Sequence, residues 1–236
     1  MVEHQLAFDL RLRPKRCWDA EDFFISESNR EAVRWLEESD HWPAPGLVLH
    51  GPSGCGKTHL SRWYRAFTKG VLVEASDLPF ADYHALSANV VSCVIEDADR
   101  LIGGVAEQSL LHLYNALAIS GGRVLLTART APRDWATKLP DLRSRLQALP
   151  TTTIHQPDDA LAGAILIKLF RDRQLKVDGD VVGYLLPRLE RSFSALHSVV
   201  VRLDQAGLRE QRRLTIPFVR GVIGDARGDR SHIERR

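Results

Sequence analysis

A glycine-rich segment followed by a lysine and a threonine is the part of the sequence best suited to chemistry. It reads Gly51-Pro52-Ser53-Gly54-Cys55-Gly56-Lys57-Thr58 and is followed by His59. Glycines at this spacing let backbone N–H groups turn toward phosphates, while the lysine reaches the terminal phosphates and the threonine hydroxyl is a ligand for Mg²⁺. The segment therefore predicts a P-loop that binds ADP or ATP with Mg²⁺.

Two adjacent acids, Glu96 and Asp97, end an apolar run that begins at residue 90. In a P-loop protein one such carboxylate holds Mg²⁺ with the threonine, here Thr58, and the other orients an attacking water as a general base. We assign the Mg²⁺ site to Thr58 and Glu96. The common order has Asp first, so hydrolysis by this chain stays open. The alternative is that both acids only finish a strand and cap the next turn.

Short apolar runs alternate with helical patterns over the first two thirds of the chain. The predicted strands are 46–50, 71–74, 90–96, 123–127 and 152–155, and the predicted helices are 29–38, 59–68, one near 79–86, and 106–119. Buried runs separated by amphipathic helices are typical of βαβ units. The fold class predicted is α/β, with a mainly parallel five-stranded sheet.

The remainder of the chain is predicted to be helical. Three amphipathic segments, 158–173, 178–189 and 192–208, follow Pro157, and Asp158 and Asp178 occupy N-cap positions. The arginine-rich stretch after Asp204 is expected to be a solvated, frayed tail. We predict an arm at 1–12, a nucleotide-binding domain at 13–156, and a small all-helical lid domain with a basic tail at 157–236.

Composition excludes several classes of protein. The 236 residues are 44% hydrophobic and 26% charged, and the net charge of +2 is too small to indicate a general nucleic-acid binder. No apolar run approaches the roughly 18 residues that span a bilayer, and the N-terminus lacks a signal-peptide pattern, so a cytoplasmic location is expected. The three cysteines form no Cys-x-x-Cys pair, which favours neither a disulfide framework nor a zinc site.

Four further segments carry a resemblance to a known family. They are Trp18-Asp-Ala-Glu-Asp-Phe-Phe-Ile-Ser-Glu-Ser-Asn-Arg30, Leu111-His-Leu-Tyr-Asn-Ala-Leu117, Leu142-Arg-Ser-Arg-Leu146 and Leu214-Thr-Ile-Pro-Phe-Val219. Together with the P-loop they resemble the DnaA-related AAA+ family, which includes the replication initiator DnaA and its shortened relative Hda. The resemblance implies an AAA+ domain with a helical lid, and the last segment favours the Hda branch, for which DNA contact is expected to be indirect.

The resemblance also implies roles for individual residues. It places the adenine beside Phe23, Phe24 and Ile25, makes Thr127 the first sensor, and makes Arg145 an arginine finger directed at ATP on DnaA, with Arg143 as the alternative finger. The second sensor arginine of the family aligns with Ser194. Arg191, one turn earlier, is the candidate replacement, and the preference between ADP and ATP stays open.

The N-terminal arm resembles a clamp-binding peptide. Gln5, Leu6, Phe8 and Leu10 give the glutamine and the apolar side chains that such a peptide inserts into a groove. The resemblance implies DnaA and the sliding clamp (the beta subunit of the polymerase) as partners, and it also implies self-association through the nucleotide interface. It favours a negative regulator of replication initiation with weak ATPase activity of its own. There are two alternatives: a loader or remodelling ATPase, and a DNA-binding scaffold that uses the basic tail.

Overall fold

The computed structural model describes residues 24–74, 76–80 and 91–228 of the chain. The chain divides into two compact units. Glu27–Gln156 form the first, called here the sheet unit, and the described residues from Pro157 onward, with residues 24–26, form the second, called the helical unit. No helix within the described ranges combines the length and the apolar character needed to cross a membrane.

The sheet unit contains one five-stranded parallel sheet. Its strands are β1 (Gly46–His50), β2 (Val71–Leu72), β3 (Ser92–Ile95), β4 (Arg123–Ala128) and β5 (Thr151–Thr153), arranged in the order β2-β3-β4-β1-β5. Every pairing is parallel, which confirms the predicted α/β class. The predicted strand ends differ from the observed ones by no more than two residues.

The central strand β1 shows why the sequence folds in this way. Leu47, Val48 and Leu49 are completely buried because β1 pairs with β4 on one side and β5 on the other. A parallel strand with helices on both faces needs apolar side chains at successive positions. The unbroken apolar run before the P-loop is therefore the signature of a strand buried inside the sheet.

Four helices and four short 3₁₀ turns complete the described part of the sheet unit. The helices are α1 (Arg30–Glu37), α2 (Lys57–Thr68), α3 (Ala106–Ser120) and α4 (Pro140–Ala148), and the turns are Ser39–His41, Leu78–Phe80, Ala98–Leu101 and Pro132–Asp134. Val48 shares an apolar cluster with Leu113 of α3 and Leu142 of α4. Helix α2 contacts β3 and β4 and contributes nothing to that cluster, so we place it on the opposite face of the sheet.

The helical unit is built around a separate core. Its described helices are α5 (Asp159–Asp172), α6 (Gly179–Leu185), α7 (Phe193–Glu210) and α8 (Ile216–Gly228), with a 3₁₀ turn at Leu186–Arg188. Helix α7 contacts both α5 and α8, and α6 contacts α5 and α8. The core includes Leu166, Phe170, Leu185, Val200, Leu203 and Val219.

Three predictions about helices need correction or restriction. The helix predicted at 178–189 ends at Leu185 and continues as a 3₁₀ turn, because Pro187 cannot donate the next helical hydrogen bond. Residues 216–228, expected to belong to a frayed tail, form α8 instead, since Phe218 and Val219 are buried in the core. Of the helix predicted near 79–86, the structure describes only residues up to 80, which end a 3₁₀ turn.

The two aspartates predicted as N-caps differ in what they do. The Asp158 carboxylate accepts a hydrogen bond from the Leu161 N–H at 2.8 Å. Asp178 precedes α6 with extended backbone angles but makes no side-chain capping bond. Ser192, which the sequence did not indicate as a cap, accepts a bond of 3.2 Å from the Ala195 N–H at the start of α7.

This difference gives a matched pair of variants. Asp158→Ala removes a capping bond and is expected to lower the free energy of unfolding by about 1–2 kcal/mol. Asp178→Ala removes only a charge near a helix start and is expected to cost about 0.5 kcal/mol or less. Urea titrations followed by circular dichroism measure both values. Equal losses would show that the Asp158 bond adds no stability.

Candidate functional site

The P-loop connects the end of β1 to the start of α2. At Gly51 the backbone passes so close to the segment after β5 that a Cβ atom would lie 2.2 Å from the Ile154 carbonyl oxygen. Gly56 has a φ of 107°, which a residue with a side chain rarely adopts. Both glycines are therefore required by the backbone, one for close approach and one for the turn into α2.

The start of α2 is open toward a ligand. Its first helical hydrogen bond joins the Leu60 N–H to the Gly56 carbonyl at 3.0 Å, and Gly56 has no side chain that could cap the first turn. A helix that begins in this way presents N–H groups and the positive end of its dipole to an anion. The loop and helix together are suited to phosphate.

Lys57 lies across the loop. Its side chain is mostly buried, and Nζ donates hydrogen bonds of 2.8 Å to the carbonyl oxygens of Gly51 and Pro52. These bonds hold the ammonium group over the loop, where it is available to exchange a carbonyl for a phosphate oxygen. The predicted phosphate-binding lysine thus lies inside its own loop.

The end of β3 meets α2 through the predicted magnesium residues. The Thr58 hydroxyl donates to Glu96 Oε2 at 3.3 Å, and the Ser61 hydroxyl donates to Glu96 Oε1 at 2.5 Å. A hydroxyl beside a carboxylate is the oxygen donor set that Mg²⁺ accepts when phosphates and water complete its shell. Sequence reasoning missed Ser61, although its position one turn after Thr58 on the same helix face was the available signal.

The Thr58 hydroxyl and the Glu96 carboxylate fit Mg²⁺ only together with phosphate oxygens. Across the described ranges, no group of three or more His, Cys, Asp or Glu side chains could hold a metal ion alone. Mg²⁺ is commonly held through one or two protein oxygens together with the phosphates of a nucleotide.

Asp97 and Thr127 meet at the same edge of the sheet. The Asp97 N–H donates to the Thr127 hydroxyl oxygen at 3.1 Å, and Thr127 is 2% exposed. The Asp97 backbone is left-handed, with a φ of 50°, and its carboxylate pairs with Arg100 at 3.2 Å. Thr127 therefore connects the ends of β3 and β4, and the Asp97 carboxylate is engaged by a cation.

Two titratable groups near the loop are neutral at pH 7. Burial lowers the pKa of His50, at the end of β1, and the nearby Arg133 lowers it further. Burial also raises the pKa of the Cys55 thiol, an effect that outweighs the opposing charge of Lys57. Neither side chain adds charge to the loop.

The two candidate finger arginines lie on the exposed side of α4 but have different contacts. Arg143 donates a hydrogen bond to the Thr137 carbonyl oxygen. The Arg145 guanidinium lies over the Tyr114 ring, 5.6 Å from its centroid. No carboxylate lies within ion-pair distance of Arg145 in the part of the chain that the structure describes.

The other predicted nucleotide contacts belong to the helical unit. Phe24 packs against the apolar core of that unit, Ile25 is half-buried, and Arg191 pairs with Asp159 at 2.7 Å. Their predicted roles toward adenine and phosphate stay predictions. Phe23 lies outside the described residues, as do the clamp-binding residues Gln5, Leu6, Phe8 and Leu10.

The fold is similar to solved AAA+ structures. Domain III of the Thermotoga maritima replication initiation protein DnaA matches with a TM-score of 0.72 at 18% identity, over 86% of this chain and 94% of that one. DnaA from Aquifex aeolicus bound to AMPPCP matches at 0.68 and 19%, over 84% and 68%. The FIGL-1 AAA domain in complex with ADP matches at 0.64 and 16%, over 83% and 80%. The chain has the α/β AAA+ fold.

The helical unit gives the more specific match. Residues 159–223 match the family described as "Hda, lid domain", which covers α5 to α7 and the first part of α8. The helical unit is therefore similar to the Hda lid domain. An uncharacterized protein of Haemophilus influenzae is 29% identical over 191 residues, 76% of this chain and 81% of that protein. The matched segment lies within the helical unit.

The Glu96 contacts lead to a test of the metal site. Glu96→Gln replaces a charged oxygen pair by a neutral amide. The gain in affinity for ADP or ATP that Mg²⁺ brings is expected to be about 10–100-fold smaller in this variant than in wild type. Binding measured in EDTA should not change. Asp97→Asn is the control, because the Asp97 carboxylate pairs with Arg100. Calorimetric titration with and without Mg²⁺ gives the answer, and unchanged Mg²⁺ dependence in Glu96→Gln would refute the assignment.

Proposed function

We propose that the protein binds ADP or ATP with Mg²⁺ at its P-loop. Several features support this: the open start of α2, the buried ammonium of Lys57, and the Thr58 hydroxyl beside the Glu96 carboxylate. Bound Mg²⁺ would neutralise charge on the phosphates. Glu96 and Thr58 would orient the ion, and Lys57 would move from the loop carbonyls to the terminal phosphates.

The protein's own hydrolysis of ATP is proposed to be weak. A general base must be within hydrogen-bond reach of the attacking water. Asp97 stands in the second acidic position, but its carboxylate pairs with Arg100 and its backbone is in the left-handed region. The Asp97 carboxylate would have to leave Arg100 before it could accept a proton from the attacking water.

The proposed activity is stimulation of ATP hydrolysis on DnaA, and the environment of Arg145 is the observation that carries it. An arginine finger must present a charged guanidinium to the phosphates of a neighbouring subunit. Arg145 is exposed on α4, lies over an aromatic ring, and has no carboxylate partner among the described residues. Its charge is therefore available to act on a second protein.

Contacts also favour Arg145 over Arg143 as the finger. Arg143 donates to the Thr137 carbonyl and therefore helps to hold the segment before α4. Arg145 makes a contact with Tyr114 that leaves its N–H donors available, because a ring face attracts the cation without accepting those bonds in its plane. Arg143 is thus assigned a supporting role.

The partner is proposed to be DnaA carrying ATP, and the consequence is negative regulation of replication initiation. The Hda-type lid and the DnaA-like fold are the features of the chain that support this choice. The proposed tether is the N-terminal arm, in which Gln5, Leu6, Phe8 and Leu10 would bind the sliding clamp on DNA. Contact with DNA would then be indirect. Self-association would use the same surface around the nucleotide through which the protein would meet DnaA.

A hydrolysis assay with three proteins tests the finger. DnaA is loaded with ATP, and its hydrolysis is measured with this protein and with clamp loaded on DNA. Wild type is expected to accelerate hydrolysis, and Arg145→Ala is expected to remove about 10³-fold or more of that effect, as in other arginine-finger systems. Arg143→Ala is the matched control on the same helix and should retain more of the effect.

Two outcomes would contradict the proposal. Equal stimulation by Arg145→Ala and wild type would mean that another residue acts on the phosphates. No stimulation by wild type, combined with rapid hydrolysis of its own ATP, would replace the regulator by a loader or remodelling ATPase.

The arm needs a separate measurement. A variant with Gln5→Ala and Phe8→Ala is expected to lose binding to immobilised clamp, because both the polar and the apolar anchor are removed. ADP binding serves as the control and should be unchanged. If this variant still binds the clamp like wild type, the tether is not the N-terminal arm.

A further inference from the structure

A buried carboxylate on α3 has no part in the nucleotide site. Glu107 lies in the first turn of α3 and is 2% exposed. A charged group without water is costly unless hydrogen bonds replace its hydration. Its surroundings therefore have to supply several donors.

Backbone N–H groups from two loops supply those donors. The Gly103 N–H donates to Glu107 Oε1 at 2.6 Å, and the Leu139 N–H donates to Oε2 at 3.0 Å. The Lys138 N–H reaches both oxygens, at 3.0 and 3.1 Å. Burial alone would raise the pKa of Glu107, but these bonds outweigh it and lower the pKa, so the carboxylate is charged at neutral pH.

The loop that contains Lys138 and Leu139 leads directly into α4, the helix that carries Arg145. Leu139 is the residue before α4, which begins at Pro140, and it provides no side-chain cap. Glu107 therefore fixes the backbone from which α4 starts. Because a charged acceptor binds N–H groups about twice as strongly as a neutral one, this connection is firmer than an ordinary loop contact.

The same face of α3 also contacts the finger itself. Tyr114 follows Glu107 by seven residues, which is about two helical turns and returns to the same face. Its ring lies under the Arg145 guanidinium. Helix α3 thus holds α4 at two places, at its start through Glu107 and at the finger through Tyr114.

We propose that Glu107 is a positioning residue for the arginine finger, acting through the 138–139 backbone to set where α4 presents Arg145. The proposal rests on the function proposed above for Arg145. Glu107 acts at a distance from the nucleotide, through the start of the finger helix. Its effect is on the geometry of a charged side chain, for which displacements of about 1 Å are known to cost up to about 100-fold in rate.

The test uses Glu107→Gln in the full-length protein, with Gln108→Ala as the control. The Glu107→Gln substitution keeps the side-chain volume but places an NH₂ group against N–H donors, so one acceptor oxygen is lost. Gln108 is exposed on the same helix turn. ADP binding by both variants shows whether the sheet unit remains folded.

Hydrogen exchange reads the positioning directly and needs no partner. In Glu107→Gln, hydrogen exchange should increase in the segment containing Lys138 and Leu139 and in the first turn of α4. Exchange in the P-loop should be the same as in wild type. Unchanged exchange in that segment would overturn the proposal whether or not the protein acts on DnaA.

Hydrolysis of ATP on DnaA then connects position to activity. Glu107→Gln is expected to lose about 10–100-fold of the stimulation at saturating protein, with little change in the concentration for half-maximal effect. In an Arg145→Ala background the same substitution should have no further effect, because both changes act through one group. A further loss in that background, or full stimulation despite increased exchange, would overturn the proposal.

The two proposals fail in different ways. If wild type and Arg145→Ala give the same rate, the function proposed for Arg145 fails. If exchange near Leu139 does not respond to Glu107→Gln, the positioning role fails.

Discussion

The close approach of the β1 terminus to the end of β5 is the constraint on which the rest of the site depends. A Cβ atom at Gly51 would lie 2.2 Å from the Ile154 carbonyl oxygen. Only glycine therefore fits at the position where the chain passes from β1 into the loop. The parallel sheet brings the ends of β1, β3 and β4 to the same edge. Because the loop starts at that edge, the Thr58 hydroxyl meets the Glu96 carboxylate, while Lys57 bonds to carbonyl oxygens of the loop itself.

The two faces of the sheet unit have separate tasks in this account. Helix α2 carries the proposed phosphate-binding residues, and on the other face α3 supports α4, which carries Arg145. For turnover of the protein's own ATP, the Asp97 carboxylate would have to leave Arg100 before it could act as a base. In the proposed function the protein acts on another subunit's nucleotide, and the precision of that action would depend on how firmly α4 is held.

Much of the fold follows from local sequence, whereas the contacts that set α4 do not. The apolar run before Gly51 and the spacing of glycines, lysine and threonine predicted β1, the P-loop and α2, since each depends on neighbouring residues. Glu107 contacts Lys138 and Leu139 across more than 30 positions, and no local pattern indicates that. Helix α8 was missed because Pro217 and the nearby arginines resemble a loop or tail, although proline is tolerated in a first helical turn.

A transition-state analogue tests most directly whether Arg145 acts on the phosphates of the nucleotide bound to DnaA. DnaA carrying ADP and aluminium fluoride imitates phosphoryl transfer, and DnaA carrying AMPPCP imitates the ground state. We expect wild type to bind the first about 100-fold or more tightly than the second, and Arg145→Ala to bind both equally. A wild-type protein without this preference, or an Arg145→Ala variant that keeps it, would contradict the account.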